Sequence, residues 1–148
     1  MISQKAQYAL RALLALAQAP AGRAMLTADI AEQERIPKKF LEQILLELKH
    51  RGIVMSRRGK AGGYLLLAAP EQITFGEVLR IVDGPIAPLP CLSRIAYRPC
   101  EGCEDEETCR LRRVFARVTE ATRGVLDTTT IADALADDGR GPPLPIPS

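Results

Sequence analysis

The sequence predicts a mainly α-helical fold of the winged helix-turn-helix type, with a small β-hairpin wing and a long C-terminal helix. Three observations predict it. Apolar residues return at helical spacing through most of the first fifty positions and again after residue 106. Between these stretches two short β-type runs, IVMSRR and YLLLAA, are joined by the glycine-rich GKAGG. Apolar content is 47% but aromatic content is only 4%, with no Trp, so the core is Leu, Val, Ile and Ala, which suits helices packed on helices. At 148 residues the chain is one domain, or one domain with an appendage.

The first helix is read from MISQKAQYALRALLALAQAP, where Ala6, Ala9, Leu10, Leu13, Leu14 and Ala17 share a face and Gln4, Gln7, Arg11 and Gln18 lie on another. The stretch mimics a signal peptide, with A-x-A at residues 17–19. Arg11 interrupts its apolar run and Pro20 follows the would-be cleavage point, which favours an amphipathic helix. The expectation is a cytoplasmic chain with reduced thiols and no membrane partner. The second helix, TADIAEQER, starts at Thr27, whose hydroxyl is expected to cap it, with Asp29 in the first turn. A break follows at Ile36-Pro37, because the residue before proline avoids the helical region. Pro37 then fits as the first residue of a third helix that Gly52 ends. Leu41, Ile44, Leu45 and Leu48 form its buried stripe, leaving Lys38, Lys39, Glu42, Gln43 and Leu46 on the free face.

The hairpin tip is basic, with Arg57, Arg58 and Lys60 around Gly59. TFGE at 74–77 is a capping box opening a helix through Val78, Leu79, Ile81 and Val82, stopped by Gly84. GPIAPLP is extended, and all four cysteines follow within CLSRIAYRPCEGCEDEETC. A long helix is expected from about Glu106 to Val125, with Leu111, Val114, Phe115, Val118, Thr122 and Val125 on one stripe. The acidic run at 104–107 suits that helix's N-terminus. A short helix, TIADALAD, precedes GRGPPLPIPS, where four prolines in ten residues predict a disordered tail. The predicted organisation is a winged unit at 1–84, a cysteine loop at 85–109, helical segments at 110–137 and a tail at 138–148. No internal repeat is visible.

Charge is divided along the chain. Residues 1–70 hold 11 Lys/Arg against 5 Asp/Glu, a net of +6, and residues 71–148 hold 9 against 13, a net of −4. A basic unit joined to an acidic one is the footprint of a polyanion-binding region attached to something else. The third helix would present Lys38, Lys39 and its dipole to phosphates. Gln43 can pair with adenine and Glu42 can accept from cytosine. Arg58 is long enough to enter a minor groove, and the wing glycines would let the tip approach the DNA backbone closely. Each feature alone is also what a solvated face and a turn look like; their succession favours double-stranded DNA as the partner.

KAQYALRALLALA, IPKKFLEQILLEL, SRRGKAGGYLL and ITFGEVLRIVDG, followed by a cysteine loop and a long helix, resemble the bacterial IscR and NsrR family of winged-helix iron–sulfur regulators. The resemblance covers about residues 1–136. It implies a homodimer on a palindromic operator, acting as a repressor, with no enzymatic activity and with DNA affinity set by a cluster in the loop. By position it assigns DNA contacts to Lys39, Glu42, Gln43 and the wing Arg58. Dimer contacts then fall to the stripe Leu111, Val114, Phe115, Val118 and Val125. Pro37 and Lys39 replace the family's small hydroxyl residues, which points to a different operator preference.

The cysteines fit the family less closely. Its commonest pattern is three cysteines each separated by five residues, and Cys103 and Cys109 reproduce only the second gap. The position six before Cys103 is Tyr97, so Cys91 or Cys100 must fill that role. The family's histidine three past the last cysteine is Arg112 here, and its N-terminal-helix acid falls near Tyr8. The lone His50 reads as a helix-end cation. Four thiolates satisfy a 2Fe-2S or 4Fe-4S cluster, with Cys91, Cys103 and Cys109 expected as ligands and Cys100 as the natural fourth. Zinc is an alternative, because C-x2-C at 100–103 plus two further cysteines also makes a tetrahedral site. A thiol switch at Cys100 and Cys103 is another, and four unliganded cysteines the plainest. Two other function classes stay open: a redox or iron–sulfur carrier enzyme bearing a winged domain, and a winged protein-interaction module that binds no DNA. Against the enzyme, no second cofactor motif, catalytic histidine pair or phosphate loop is present.

Overall fold

A computed structural model describes residues 2–60 and 62–140. The chain runs α1 (Gln4–Gln18), α2 (Thr27–Glu34), α3 (Lys38–His50), β1 (Val54–Arg57), β2 (Gly63–Leu66), α4 (Phe75–Asp83), α5 (Arg110–Leu126) and α6 (Ile131–Ala136). Short 3-10 turns sit at Pro70–Gln72 and Pro90–Leu92. The order is helix, helix, turn, helix, two-stranded wing, as expected. The proline-rich tail from residue 141 lies outside the described residues, as does Ala61 in the wing.

α1 is the centre of the core. Ser3 caps it by accepting from the Ala6 N–H at 3.0 Å, and Ala6, Ala9, Leu10, Ala12, Leu13, Ala15 and Leu16 are buried. That face is wider than the expected one, because α2, α3, α4, α6 and β2 all pack around α1; Leu14 and Ala17 are only half-buried. Its alanines let the neighbouring helices come close. On α3 the predicted stripe is buried residue for residue: Leu41, Ile44, Leu45 and Leu48.

Two expected helix starts are corrected. Thr27 lies inside α2 and caps nothing; Leu26 holds the cap position without a side-chain bond. The cause is the wing: Met25 and Tyr64 exchange N–H···O bonds of 2.8 Å in both directions, which keeps the chain extended until residue 26. Pro37 likewise stands just before α3 as its cap residue and not as its first turn. The α2–α3 turn runs through Arg35 at φ 54, a left-handed position, and the Ile36 N–H closes it on the Ala31 carbonyl.

β1 and β2 pair antiparallel, with Val54 opposite Leu66 and Arg57 opposite Gly63. Gly63 is required by its surroundings. Its φ is +129, and a Cβ there would lie 2.0 Å from the Met25 carbonyl oxygen. This wing glycine therefore serves the chain's own backbone, where a close approach to DNA was expected.

Thr74 caps α4 by accepting from the Glu77 N–H at 3.1 Å. The C-terminal elements are stitched to the start of α4: the Phe75 N–H donates to the Thr129 carbonyl, and the Ile131 N–H to the Ile73 carbonyl. Arg80 on α4 makes a two-pronged pair with Asp127 at the end of α5, at 2.7 and 2.8 Å. Gly76 makes room for it, since a Cβ there would lie 2.0 Å from Asp127 Oδ1. The pair holds the Asp127 carboxyl below the usual carboxylate range, mainly through the hydrogen bonds from Arg80. A group with a depressed folded pKa contributes its full stability above the ordinary carboxylate range and loses it as pH falls through the folded value. Asp127→Asn is expected to cost about 1 kcal/mol at pH 7, a figure reduced for the pair's partial exposure. Urea unfolding should show that difference shrinking as pH falls out of the ordinary carboxylate range and through the depressed folded value.

Candidate DNA interface and cysteine loop

The exposed side of α3 carries Lys38, Lys39, Glu42, Gln43 and Leu46, and no acidic residue occupies the first turn. Residues 39, 42, 43 and 46 follow i, i+3, i+4, i+7 spacing and so form one ridge, opposite the buried stripe. The helix is fixed at the rear by Lys5 of α1, whose Nζ lies 2.7 Å from Glu47 Oε2. Arg11 of α1 donates to the Glu34 carbonyl and pairs with its carboxylate, fixing the end of α2. Neither tie was among the expected site residues, because each joins positions tens of residues apart.

The wing is more divided in its roles than its composition implies. Arg58, Gly59 and Lys60 are exposed. Arg57 is exposed too, but its Nη1 donates to the Gly22 carbonyl at 2.9 Å and holds the hairpin against the α1–α2 loop.

The cysteine loop fills the interval between α4 and α5. Its entry is a knot: Cys91 lies in the 3-10 turn, 5% exposed, and the Pro90 carbonyl accepts from both Ser93 and Arg98. Cys100 Sγ lies 3.8 Å from Cys91 Sγ. Burial first, and Cys100 second, push the Cys91 thiol above its ordinary pKa, against the Arg112 guanidinium. Burial likewise raises Cys103, helped by Cys109, Cys100 and Glu106. Tyr97 donates to Glu106 and is held protonated to higher pH by that bond.

The expected start of the long helix is corrected here. Residues 104–107 lie before α5 and do not form its first turn. Asp105 turns the chain by accepting from the Glu107 N–H at 3.0 Å, and the Cys109 thiol then caps α5 by accepting from the Arg112 N–H at 3.4 Å. The stripe of α5 is where it was expected, and much of it faces solvent: Leu111, Val114, Phe115, Val118 and Val125 are 37–65% exposed. Beside it a cleft of about 400 Å³ lies between α4, Pro85–Pro88 and α5, lined by Ile2, Leu79, Ile86, Val118 and Leu126 among others. Only Thr119 and Arg123 of this helix are buried.

The thiols are brought together as a pair and not as a quartet. Among the described residues no three His, Cys, Asp or Glu side chains gather closely enough to hold a metal ion. The Cys91–Cys100 spacing nevertheless suits a shared metal, because two thiolates about 2.3 Å from one tetrahedral ion lie about 3.8 Å apart. Arg112 supplies a second fitting feature. Its Nε is buried with no hydrogen-bond partner among the described residues, 3.9 Å from a Glu106 carboxylate oxygen, and the guanidinium bears on the Cys91 thiol. The donor set therefore fits a thiolate-bound anionic group, with Cys100 beside Cys91 where Cys103 was the firmer expectation.

No helix among the described residues is long and apolar enough to cross a membrane. Residues 2–137 match the family model Rrf2, described as an iron-dependent transcriptional regulator. An rrf2-like HTH-type transcriptional regulator of Rhodobacter capsulatus is 50% identical over 139 residues, 92% of this chain and 93% of that protein. Among solved structures, CymR, the global cysteine regulator of B. subtilis, superposes with a TM-score of 0.76 at 31% identity, over 92% of this chain and 96% of that one. IscR of T. potens superposes with a TM-score of 0.74 at 26% identity, over 98% and 93%. With its winged helix and these relatives, the chain belongs to the Rrf2 family of transcriptional regulators, a family of regulators and not of enzymes.

Proposed function

We propose that the protein is a homodimeric repressor that binds a palindromic operator with an affinity set by an iron–sulfur cluster in the cysteine loop. The observation that carries this reading is the coexistence of a free basic recognition face with a thiol pair seated against the helix that would join two copies. Lys38 and Lys39 meet phosphates at the N-terminus of α3, while Glu42 and Gln43 face base edges. Arg58 enters the minor groove and Lys60 contacts the backbone. Arg57 spends one donor on Gly22 and keeps the rest of its guanidinium for the phosphate backbone.

The dimer follows from α5. A 17-residue helix with five large apolar side chains in water is not a finished surface. A second copy of the same helix, lying along the stripe and the neighbouring cleft, covers it with two-fold symmetry. Half-sites about one helical turn apart then match two recognition helices.

Cys91, Cys100, Cys103 and Cys109 are the residues that would hold the cluster, and Arg112 the donor facing their thiolates. A bound cluster supplies a redox-active, oxidant-sensitive centre at the N-terminal end of α5. The family's description as iron-dependent supports this choice. The same 3.8 Å spacing also favours a second reading, a zinc site or a Cys91–Cys100 thiol switch. Similarity to a regulator described as the global cysteine regulator of its organism favours the thiol version.

Arg58→Ala should weaken binding to a selected operator by about tenfold or more, through loss of both charge and groove contact. Lys60→Ala should weaken all duplexes alike and reduce the salt slope by about one ion. Anisotropy titrations at several salt concentrations separate the two, and unchanged curves for both would exclude the wing from the interface. For the dimer, Val118→Asp places a charge in the stripe and should give monomers that bind DNA poorly. Light scattering that still finds a dimer with normal affinity would place the interface elsewhere.

A further inference from the structure

We infer that Arg123 is the positioning residue through which the cysteine loop is coupled to the DNA-binding unit. This rests on the reading that the loop's state sets DNA affinity. Arg123 is 8% exposed, on a helix whose other charged side chains are mostly solvated. Its Nη2 donates to the Leu92 carbonyl at 2.8 Å and lies 3.5 Å from the Ile86 carbonyl. Leu92 directly follows Cys91, so the guanidinium grips the knot that seats the thiol pair. Its Nη1 lies 3.5 Å from Glu120 Oε1.

The other end of the connection runs through the helix backbone. The Arg123 carbonyl accepts from the Asp127 N–H at 2.9 Å. Asp127, one turn further along the helix, carries the two-pronged pair with Arg80 of α4. α4 packs on α1, and α1 holds α3 through Lys5 and Glu47. Polar contacts, joined by the packing of α4 on α1, thus lead from the residue beside Cys91 to the rear of the recognition helix. A buried guanidinium is costly to seat unless its donors are met. An apolar residue would pack α5 against the loop without fixing which carbonyls it meets, and the guanidinium does fix them. When the thiols change partners, the Pro90–Leu92 turn moves against Arg123, and the strain passes to α5 and α4.

The test uses the full-length protein, with Arg123→Gln and the charge-retaining Arg123→Lys as variants. The first readout is alkylation of the reduced, metal-free protein by iodoacetamide, followed residue by residue by peptide mass spectrometry. In Arg123→Gln, Cys91 should react about tenfold faster, corresponding to the loss of one charge-assisted hydrogen bond, while Cys103 stays within about twofold. The second readout is the ratio of affinities between anaerobically purified and chelator-stripped protein, for a duplex that the wild type recovers from a random pool. That ratio should fall to within about twofold of one in Arg123→Gln, with the stripped protein's own affinity retained, and recover in part in Arg123→Lys. An unchanged Cys91 rate in both variants would overturn the inference. So would a faster Cys91 with the wild-type affinity ratio intact, which leaves Arg123 holding the loop without coupling it. A wild-type ratio near one would instead remove the underlying reading, and this inference with it.

Discussion

The apolar stripe of α5 is the constraint around which the account is arranged. Leu111, Val114, Phe115, Val118 and Val125 are 37–65% exposed, and completing their burial is worth up to about 1.5–3 kcal/mol each. The winged unit, by contrast, buries the apolar face of α1 and the whole α3 stripe in one core. Of the twelve large apolar side chains exposed among the described residues, five share this one element. In the proposed dimer that element sets the distance between two recognition helices, which the winged units cannot set themselves.

Placing the thiols at the N-terminal end of this helix has a mechanical consequence. Cys109 caps α5 directly, while Cys91 reaches the helix's last turns through Leu92 and Arg123. The loop therefore grips α5 near both ends. In the proposed mechanism a change in what the thiols bind would pull on the helix as a body, and the Arg80–Asp127 pair fastens that body to α4. Short polar contacts suit such a linkage because they hold one register and fail abruptly, where apolar packing slides.

How much of this was legible in the sequence depended on the range of the interaction. The α3 stripe, the two-stranded wing and the Thr74 cap of α4 are written in spacings of a few residues, and the structure repeats them. The start of α2 was misjudged because Tyr64 dictates the path of Met25 from thirty-nine positions away. The acidic run at 104–107 was attractive as a helix start, but Asp105 spends its carboxylate on a turn. Glycine in the wing was visible and its purpose was not, since the atom that crowds Gly63 belongs to residue 25. Arg123 gave no local sign at all. Among the arginines of α5, its value comes from two carbonyls more than thirty residues earlier.

The same limit applied to the cysteines. Spacing favoured Cys91, Cys103 and Cys109, whereas folding sets Cys100 against Cys91 beside the Arg112 guanidinium. The central claim is that these thiols hold an iron–sulfur cluster. The most direct measurement is the visible spectrum of anaerobically purified protein, with iron, sulfide and zinc counted per chain. The account predicts thiolate-to-iron absorbance with matching iron and sulfide, lost in both Cys91→Ala and Cys100→Ala. A colourless protein carrying one zinc per chain, or no metal, would contradict it.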